Sequence, residues 1–164
     1  MPTIPFVVPG PPVGYYAQAG RNLWKMSPSQ REQAEKYRNY KDKVKLYAVQ
    51  AGLVLPLNAT EAAPVIVNIR AYFFNRVHCD PGNVQKGCCD ALFQGSNDRY
   101  TGGSFPPPIY DPKNPRVEVE VILPDGYIAT PGVKIKHGKG TARTGTDRIR
   151  QSSQALHLRP DRGH

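Results

Sequence analysis

Residues 65–74 read Val-Ile-Val-Asn-Ile-Arg-Ala-Tyr-Phe-Phe and carry the clearest strand signal in the chain. Every second side chain from the first valine to Phe73 is apolar, so these side chains share one face of an extended segment. Asn68, Arg70 and Tyr72 lie on the opposite face. The alternation therefore predicts a β-strand with an apolar face and a polar face.

Two further segments also have the pattern of strands. Residues 3–8 (Thr-Ile-Pro-Phe-Val-Val) predict a strand at a sheet edge, because Pro5 has no N–H to donate to a neighbouring strand. Residues 116–122 (Arg-Val-Glu-Val-Glu-Val-Ile) alternate valine with glutamate, which is typical of a strand with one wet face. Residues 94–115 contain several glycines and prolines and predict a loop.

A long helix is predicted between the first two strands. Ser27 can cap its N-terminus, Gln30 completes a capping box, and Pro28 suits the first turn. Gly52 is a natural C-terminal stop. Lysines and arginines predict a basic outer face. The apolar side chains recur at spacings of three and four and predict a core-packing stripe, which consists of Ala34, Tyr37, Tyr40, Val44, Tyr47, Ala48 and Ala51.

A second helix is predicted from residue 81 or 82 to residue 93, directly after Asp80. On a period of 3.6 residues, Asn83, Lys86 and Asp90 share one face of this helix. The neighbouring stripe is predicted to be buried and consists of Val84, Cys88 and Ala91. The helix thus presents an amide, an ammonium and a carboxylate side by side.

Carboxylates next to a lysine suit metal-assisted hydrolysis of a phosphodiester. Asp98 follows the second helix in a short loop that can fold back towards Asp80 and Asp90. Mg²⁺ prefers carboxylate oxygens, and it can activate water and stabilise charge on the leaving oxygen. Lys86 can neutralise a phosphate in the transition state. The alternative is structural, with Asp80 as an N-cap and Asp90 paired with Lys86 four residues earlier.

The charge of the chain indicates a polyanionic partner. There are 22 Lys and Arg against 13 Asp and Glu, a net charge of +9, and such an excess most often indicates nucleic acid. Basic residues are dense in residues 21–45 and again after residue 123. Aromatic and basic side chains in the predicted loop 13–26 suit stacking on bases and pairing with phosphates. The alternative for the aromatic ones is that they cover the edge of the core.

Length and composition exclude several classes of protein. The 164 residues fit one domain of ordinary size, and no apolar run approaches the length of a membrane span. The N-terminus lacks the pattern of a signal peptide, so a cytoplasmic location is expected. Three cysteines do not suggest a disulfide framework. A zinc site at His78 and the cysteines is disfavoured because no Cys-x-x-Cys spacing is present. Cys88 and Cys89 are expected instead to be small apolar residues of the second helix.

The pattern Asp80-x-x-Asn83-x-x-Lys86-x-x-x-Asp90-Ala-Leu, after a strand and before a carboxylate-bearing loop, resembles the RusA family of Holliday junction resolvases. The resemblance covers roughly residues 3–122, because flanking segments occur in the family's order. These segments are residues 6–12, 37–41 and 115–119. The resemblance implies a small homodimeric, Mg²⁺-dependent endonuclease of DNA recombination and repair. Such an enzyme nicks two strands symmetrically across a four-way DNA junction.

The resemblance also implies roles for individual residues. The implied metal ligands are Asp80, Asp98 and Asp90. The implied catalytic residues are Asp80, Lys86 and Asp98, and Asn83 supports them. Two positions depart from the family's pattern, since Gly82 and Asn97 each stand where the family usually has an aspartate.

The expected fold is α+β, with a small mixed or antiparallel sheet and two main helices. An endonuclease domain is expected in residues 1–124 and a flexible basic tail in residues 125–164. The expected DNA contacts are Arg21, Lys25, Lys36, Arg38, Lys41, Arg76 and Arg99.

Because two carboxylates of the family's pattern are absent, a catalytically silent junction-binding protein is the alternative function. A basic RNA- or ribosome-associated protein is a third possibility, which rests on charge alone.

Overall fold

The structure is a computed structural model that describes residues 1–17, 23–93 and 98–128. These residues form an α+β fold, as predicted. The helices are α1 (Pro28–Gln50) and α2 (Pro81–Leu92), and a short 3₁₀ turn spans Leu23–Lys25. The strands are β1 (Thr3–Pro9), β2 (Val65–Phe73), β3 (Thr101–Gly102), β4 (Ile109–Tyr110) and β5 (Arg116–Ile122).

Within the described ranges the strands form one mixed sheet in the order β1-β5-β2-β3, and β4 also pairs with β2. β5 runs antiparallel to both β1 and β2, whereas β3 and β4 run parallel to β2. Val119 lies opposite Phe6 on one side and Ile69 on the other. β1 lies at an edge of the sheet, which confirms the prediction made from Pro5.

The segment after α2 differs from its prediction as a loop. β3 and β4 each contribute two residues that pair with β2, at Val65–Ile66 and at Tyr72–Phe73. A two-residue strand is too short to show alternation in sequence, so the pattern could not reveal it. The chain from β3 to β4 consequently runs along the edge of β2 and beside α2.

Both helices pack on the face of the sheet that carries the alternating apolar side chains. The predicted capping box of α1 is present, because Ser27 and Gln30 each accept a hydrogen bond from the other's backbone N–H. Five of the seven predicted stripe residues are buried, namely Ala34, Tyr37, Tyr40, Val44 and Ala48. On α2, Val84 and Cys88 are fully buried. Cys88 and Cys89 pack as apolar helix residues, as predicted.

We expect the buried thiols to make stability fall at alkaline pH. Burial raises the pKa of Cys88 and of Cys89 from 9.0 to about 12. Between these values the unfolded chain binds fewer protons than the folded chain, so the free energy of unfolding falls as pH rises. The expected slope is up to about 1.4 kcal/mol per pH unit for each thiol.

Urea unfolding under reducing conditions at pH 7, 9 and 10.5 measures this slope. The Cys89→Ala variant is the comparison, because it lacks one of the two thiols and should show a flatter dependence above pH 9. Equal slopes for the two proteins would contradict the assignment of the effect to the thiols.

Two expectations concern the ends and environment of the chain. No helix in the described ranges is both long and apolar enough to cross a membrane. The predicted tail from residue 125 lies almost wholly outside the described residues, which end at residue 128. The domain boundary at residue 124 therefore stays a prediction.

Candidate active site

The site predicted from the sequence begins where α2 begins. Asp80 is the N-cap of α2, and its Oδ1 accepts a hydrogen bond of 2.6 Å from the Gly82 N–H. Pro81 follows at the first helical position, where its missing N–H removes no helix hydrogen bond. The Asp80 side chain is exposed to solvent. The structural alternative, in which Asp80 is the N-cap of the second helix, is thus confirmed. Because the side chain is exposed, this role is compatible with a second one as a metal ligand.

The segment between β2 and α2 is anchored by aromatic contacts. The His78 ring stacks on Phe73 with centroids 4.2 Å apart, and its Nε2 lies 3.1 Å from the Tyr110 hydroxyl. The Arg76 guanidinium lies 5.7 Å from the centre of the Tyr110 ring. Because β4 holds Tyr110 beside the end of β2, these contacts set the position from which α2 and Asp80 start.

The exposed face of α2 carries Asn83 and Lys86, as predicted. The Asn83 carbonyl accepts a hydrogen bond of 2.9 Å from the Tyr15 N–H, which ties the loop after β1 to the first turn of α2. The Lys86 Nζ lies 4.0 Å from the centre of the Tyr15 ring. The loop after β1 is therefore part of the site.

Asp90 has a structural partner on the other helix. The Tyr37 hydroxyl donates a hydrogen bond of 2.8 Å to the Asp90 Oδ2 and so joins α1 to α2. Burial, and then the hydrogen bond to Asp90, raise the pKa of Tyr37 well above its usual value. The structure thus pairs Asp90 with Tyr37, whereas the structural alternative offered by the sequence is a pair with Lys86.

Asp98 lies near the last turns of α2. Burial raises the pKa of the Cys89 thiol to about 12, and the nearby carboxylates of Asp98 and Asp90 contribute to the rise. The chain after Asp98 then runs back along the helix, so that the Phe105 ring lies against Gly82. Asp80 and Cys89 are nine residues apart, which corresponds to about 14 Å of helix at 1.5 Å per residue. The Asp98 and Asp90 carboxylates both lie near Cys89 in the last turns of α2, and Asp80 caps the first turn of the helix.

A comparison with protein families supports the resemblance found in the sequence. The sequence model described as Endodeoxyribonuclease RusA matches residues 9–122, which include both helices and the motif at Asp80. The chain belongs to the RusA endodeoxyribonuclease family. No curated protein matches the sequence. The family assignment thus rests on more than two thirds of the chain.

The metal ligands that the resemblance implies are the carboxylates of Asp80, Asp90 and Asp98. The described residues contain no group of three or more His, Cys, Asp or Glu side chains that could hold a metal ion. The position that carries a second aspartate in the family's pattern is Gly82, and a Cβ there would lie 3.1 Å from both the Asp80 Oδ1 and the Phe105 ring. Within the described ranges Asp80, Asp90 and Asp98 therefore do not form a three-carboxylate group around one cation.

A groove of about 570 Å³ runs beside the start of α2. The loop after β1, the first half of α1 and the segment after β2 form its walls, and Asn83 lies at its border with α2. Tyr16, Lys36 and His78 line it and provide aromatic and basic surface. This composition is typical of surfaces that contact a nucleic acid backbone and bases.

The residues predicted to contact DNA are distributed over several elements of the RusA fold. Lys25, Lys36, Arg76 and Arg99 are exposed, whereas Arg38 and Lys41 are half-buried on α1. The Lys41 Nζ lies 5.1 Å from the centre of the Tyr37 ring. Arg21 and Asn97 lie outside the described residues. The DNA contacts themselves stay predictions.

Sequence reasoning missed two contributors to the site. The sequence predicts Tyr15 only as one of the aromatic side chains of loop 13–26, and Tyr37 only as a member of the core stripe of α1. In the structure Tyr15 contacts Lys86 and Tyr37 donates a hydrogen bond to Asp90, so each meets a residue of the motif. The sequence separations are 71 and 53 residues, so no local spacing rule could have found these pairs.

Proposed function

We propose that this protein is an endodeoxyribonuclease that nicks four-way DNA junctions. The observation that carries the proposal is the family match over residues 9–122. The surface at the start of α2 supports it, because an exposed carboxylate of Asp80, the amide of Asn83 and the ammonium of Lys86 lie on one exposed side. The net charge of +9 suits a DNA substrate.

The proposed roles follow from the chemistry of these side chains. Lys86 pairs with a phosphate oxygen and stabilises the charge that develops as the phosphodiester is cleaved. The side-chain amide of Asn83 can donate or accept hydrogen bonds next to Lys86. Mg²⁺ is the proposed cofactor, and its chemistry is activation of water and stabilisation of the leaving oxygen. Asp80 is the carboxylate that would hold it, since Mg²⁺ in phosphoryl-transfer sites commonly has one or two carboxylates and takes further ligands from phosphates and water.

We further propose that the enzyme acts as a homodimer in the cytoplasm, in DNA recombination and repair. Two symmetric nicks require two active sites related by a two-fold axis, and a homodimer provides them. The groove beside α2 and the exposed lysines and arginines would contact the arms of the junction through phosphates. Such contacts are independent of base sequence and weaken as salt increases.

A nicking assay tests the function directly. We expect purified protein to nick a labelled four-way junction in 10 mM Mg²⁺ at least about tenfold faster than a linear duplex of the same sequence, because the active site must be oriented on a branched substrate. Excess EDTA should abolish nicking, and added Mg²⁺ should restore it. Nicking that persists in EDTA would contradict the proposed cofactor. Absence of nicking under all metal conditions would contradict the proposed activity.

A catalytically silent junction-binding protein is the second candidate. The observation that favours it is Gly82, because the turn that starts α2 offers a single carboxylate where the family's pattern has two. This candidate predicts salt-sensitive binding of the junction with no Mg²⁺-dependent cleavage. A gel-shift titration beside the nicking assay distinguishes the two functions.

A further inference from the structure

We propose that Tyr15 is a positioning residue that holds the Lys86 ammonium beside the start of α2. This inference rests on the proposed function, because it concerns the residue that would contact the scissile phosphate. The Lys86 Nζ lies 4.0 Å from the centre of the Tyr15 ring, well within the range of about 6 Å for a cation–π interaction. The ring therefore gives the ammonium a preferred position.

Tyr15 can do this because its own position is set by three contacts. Its N–H donates to the Asn83 carbonyl on α2, at 2.9 Å. Its ring meets the buried Tyr37 ring edge-on, with centroids 5.9 Å apart and planes at 88°. It also packs against the small apolar cluster that contains Met26 and Ala34. A ring that is held by both helices and by the backbone is a fixed platform for a mobile lysine.

The approach of this loop to α2 depends on Gly14. A Cβ at residue 14 would lie 2.9 Å from the Cβ of Cys79 and 3.1 Å from its Sγ. It would also lie 3.4 Å from the Cβ of Asn83. The absence of a side chain at Gly14 thus lets the backbone come close enough for Tyr15 to reach Lys86.

The Asp90 carboxylate, which is a possible partner of Lys86 on α2, makes its hydrogen bond to the other helix. Asp90 lies four residues after Lys86, the spacing at which a lysine and a carboxylate pair on a helix. Its Oδ2 instead accepts the hydrogen bond from Tyr37, at 2.8 Å. In the part of the chain that the structure describes, Lys86 forms no ion pair with a carboxylate. The two tyrosines together keep the ammonium close to the site and available to an anionic ligand.

This arrangement favours stabilisation of the phosphate in the transition state for an entropic reason. A lysine on an exposed helix face has a flexible four-carbon stem and loses much rotamer freedom when it pairs with a ligand. A ring that already restricts the ammonium lowers that loss. Small displacements of a reacting or stabilising group have large effects on rate. We therefore expect the loss of the Tyr15 ring to lower kcat.

Two measurements on the full chain test the proposal. The first is the NMR shift of the Lys86 ε-methylene protons without DNA, assigned by their loss in Lys86→Met. We expect an upfield ring-current shift in the wild type and in Tyr15→Phe, and its loss in Tyr15→Leu. The second is junction nicking, where Tyr15→Leu should lower kcat about tenfold to a hundredfold, with KM changed by less than about twofold. Tyr15→Phe should retain the wild-type rate.

The Lys86→Met background separates positioning from a general structural effect. If Tyr15 acts through Lys86, Tyr15→Leu should have no further effect on nicking in that background. Tyr47→Leu is the matched control, because it removes a half-buried tyrosine of α1 outside the site and should leave kcat unchanged. Additive losses in the double variant, or an unshifted Lys86 signal in the wild type, would overturn the proposal. If the wild type does not nick, the proposed function fails, and the NMR shift alone decides whether Tyr15 holds Lys86.

Discussion

Replacing Asp80 with asparagine should lower the rate of junction nicking by about a hundredfold or more while leaving the fold intact. Asparagine is as good an N-cap as aspartate, so its Oδ1 can still accept the hydrogen bond from the Gly82 N–H. The substitution removes the negative charge at the start of α2 and little else. A loss of cleavage with unchanged thermal stability would therefore assign the carboxylate a direct role.

The measurement combines three variants in the nicking assay with thermal unfolding and gel-shift binding. Asp80→Ala removes both the charge and the cap, and it should cost about 1 kcal/mol of stability as well as activity. Asp42→Asn is the matched control, since Asp42 is exposed on α1 and pairs with Lys45 at 3.2 Å. We expect this control to nick like the wild type. Undiminished nicking by Asp80→Asn would exclude the proposed site.

The largest effect on stability is expected for Gly103→Ala, at about 3 kcal/mol or more. Gly103 has a φ of +154° and follows β3, where the chain passes between β2 and α2. A Cβ at this position would lie 2.0 Å from the Val67 carbonyl oxygen and 2.5 Å from the Gln85 Nε2. These two atoms form a hydrogen bond of 2.8 Å that joins α2 to β2. An alanine would therefore displace backbone and break this link.

Urea unfolding of Gly103→Ala and of Gly102→Ala measures the difference between neighbouring glycines. A Cβ at Gly102 would meet Ile66 Cγ1 at 3.9 Å, an ordinary contact. We expect this control to change the free energy of unfolding by less than about 0.5 kcal/mol. Similar stability of the two variants would show that the chain does not pass as closely between β2 and α2 as the structure indicates.

Much of the fold was predictable because its main signals are local. The alternation in residues 65–74 and 116–122 arises from the two faces of a strand, and Ser27 and Gln30 lie within one turn of each other. Asp80 as the start of α2 follows from the same kind of rule. The β3 and β4 strands were missed because two residues cannot display a period.

The candidate site was predictable in its motif and only partly in its geometry. A helical period correctly placed Asn83 and Lys86 on one exposed face. The prediction that the short loop carrying Asp98 folds back towards Asp80 does not follow from a helical period, and the structure places Asp98 near Cys89 of α2. The direction of a loop depends on which strand receives it, and the sequence contains no local signal for that choice.

Local periodicity and capping were enough to establish the α+β class, the extents of the helices and long strands, and the motif that identifies the family. These properties depend on interactions between residues a few positions apart. The position of Asp98 near Cys89, the Tyr37–Asp90 hydrogen bond and the Tyr15–Lys86 contact depended on tertiary structure. Each results from packing between segments distant in sequence, where burial and available space, rather than residue spacing, select the partner.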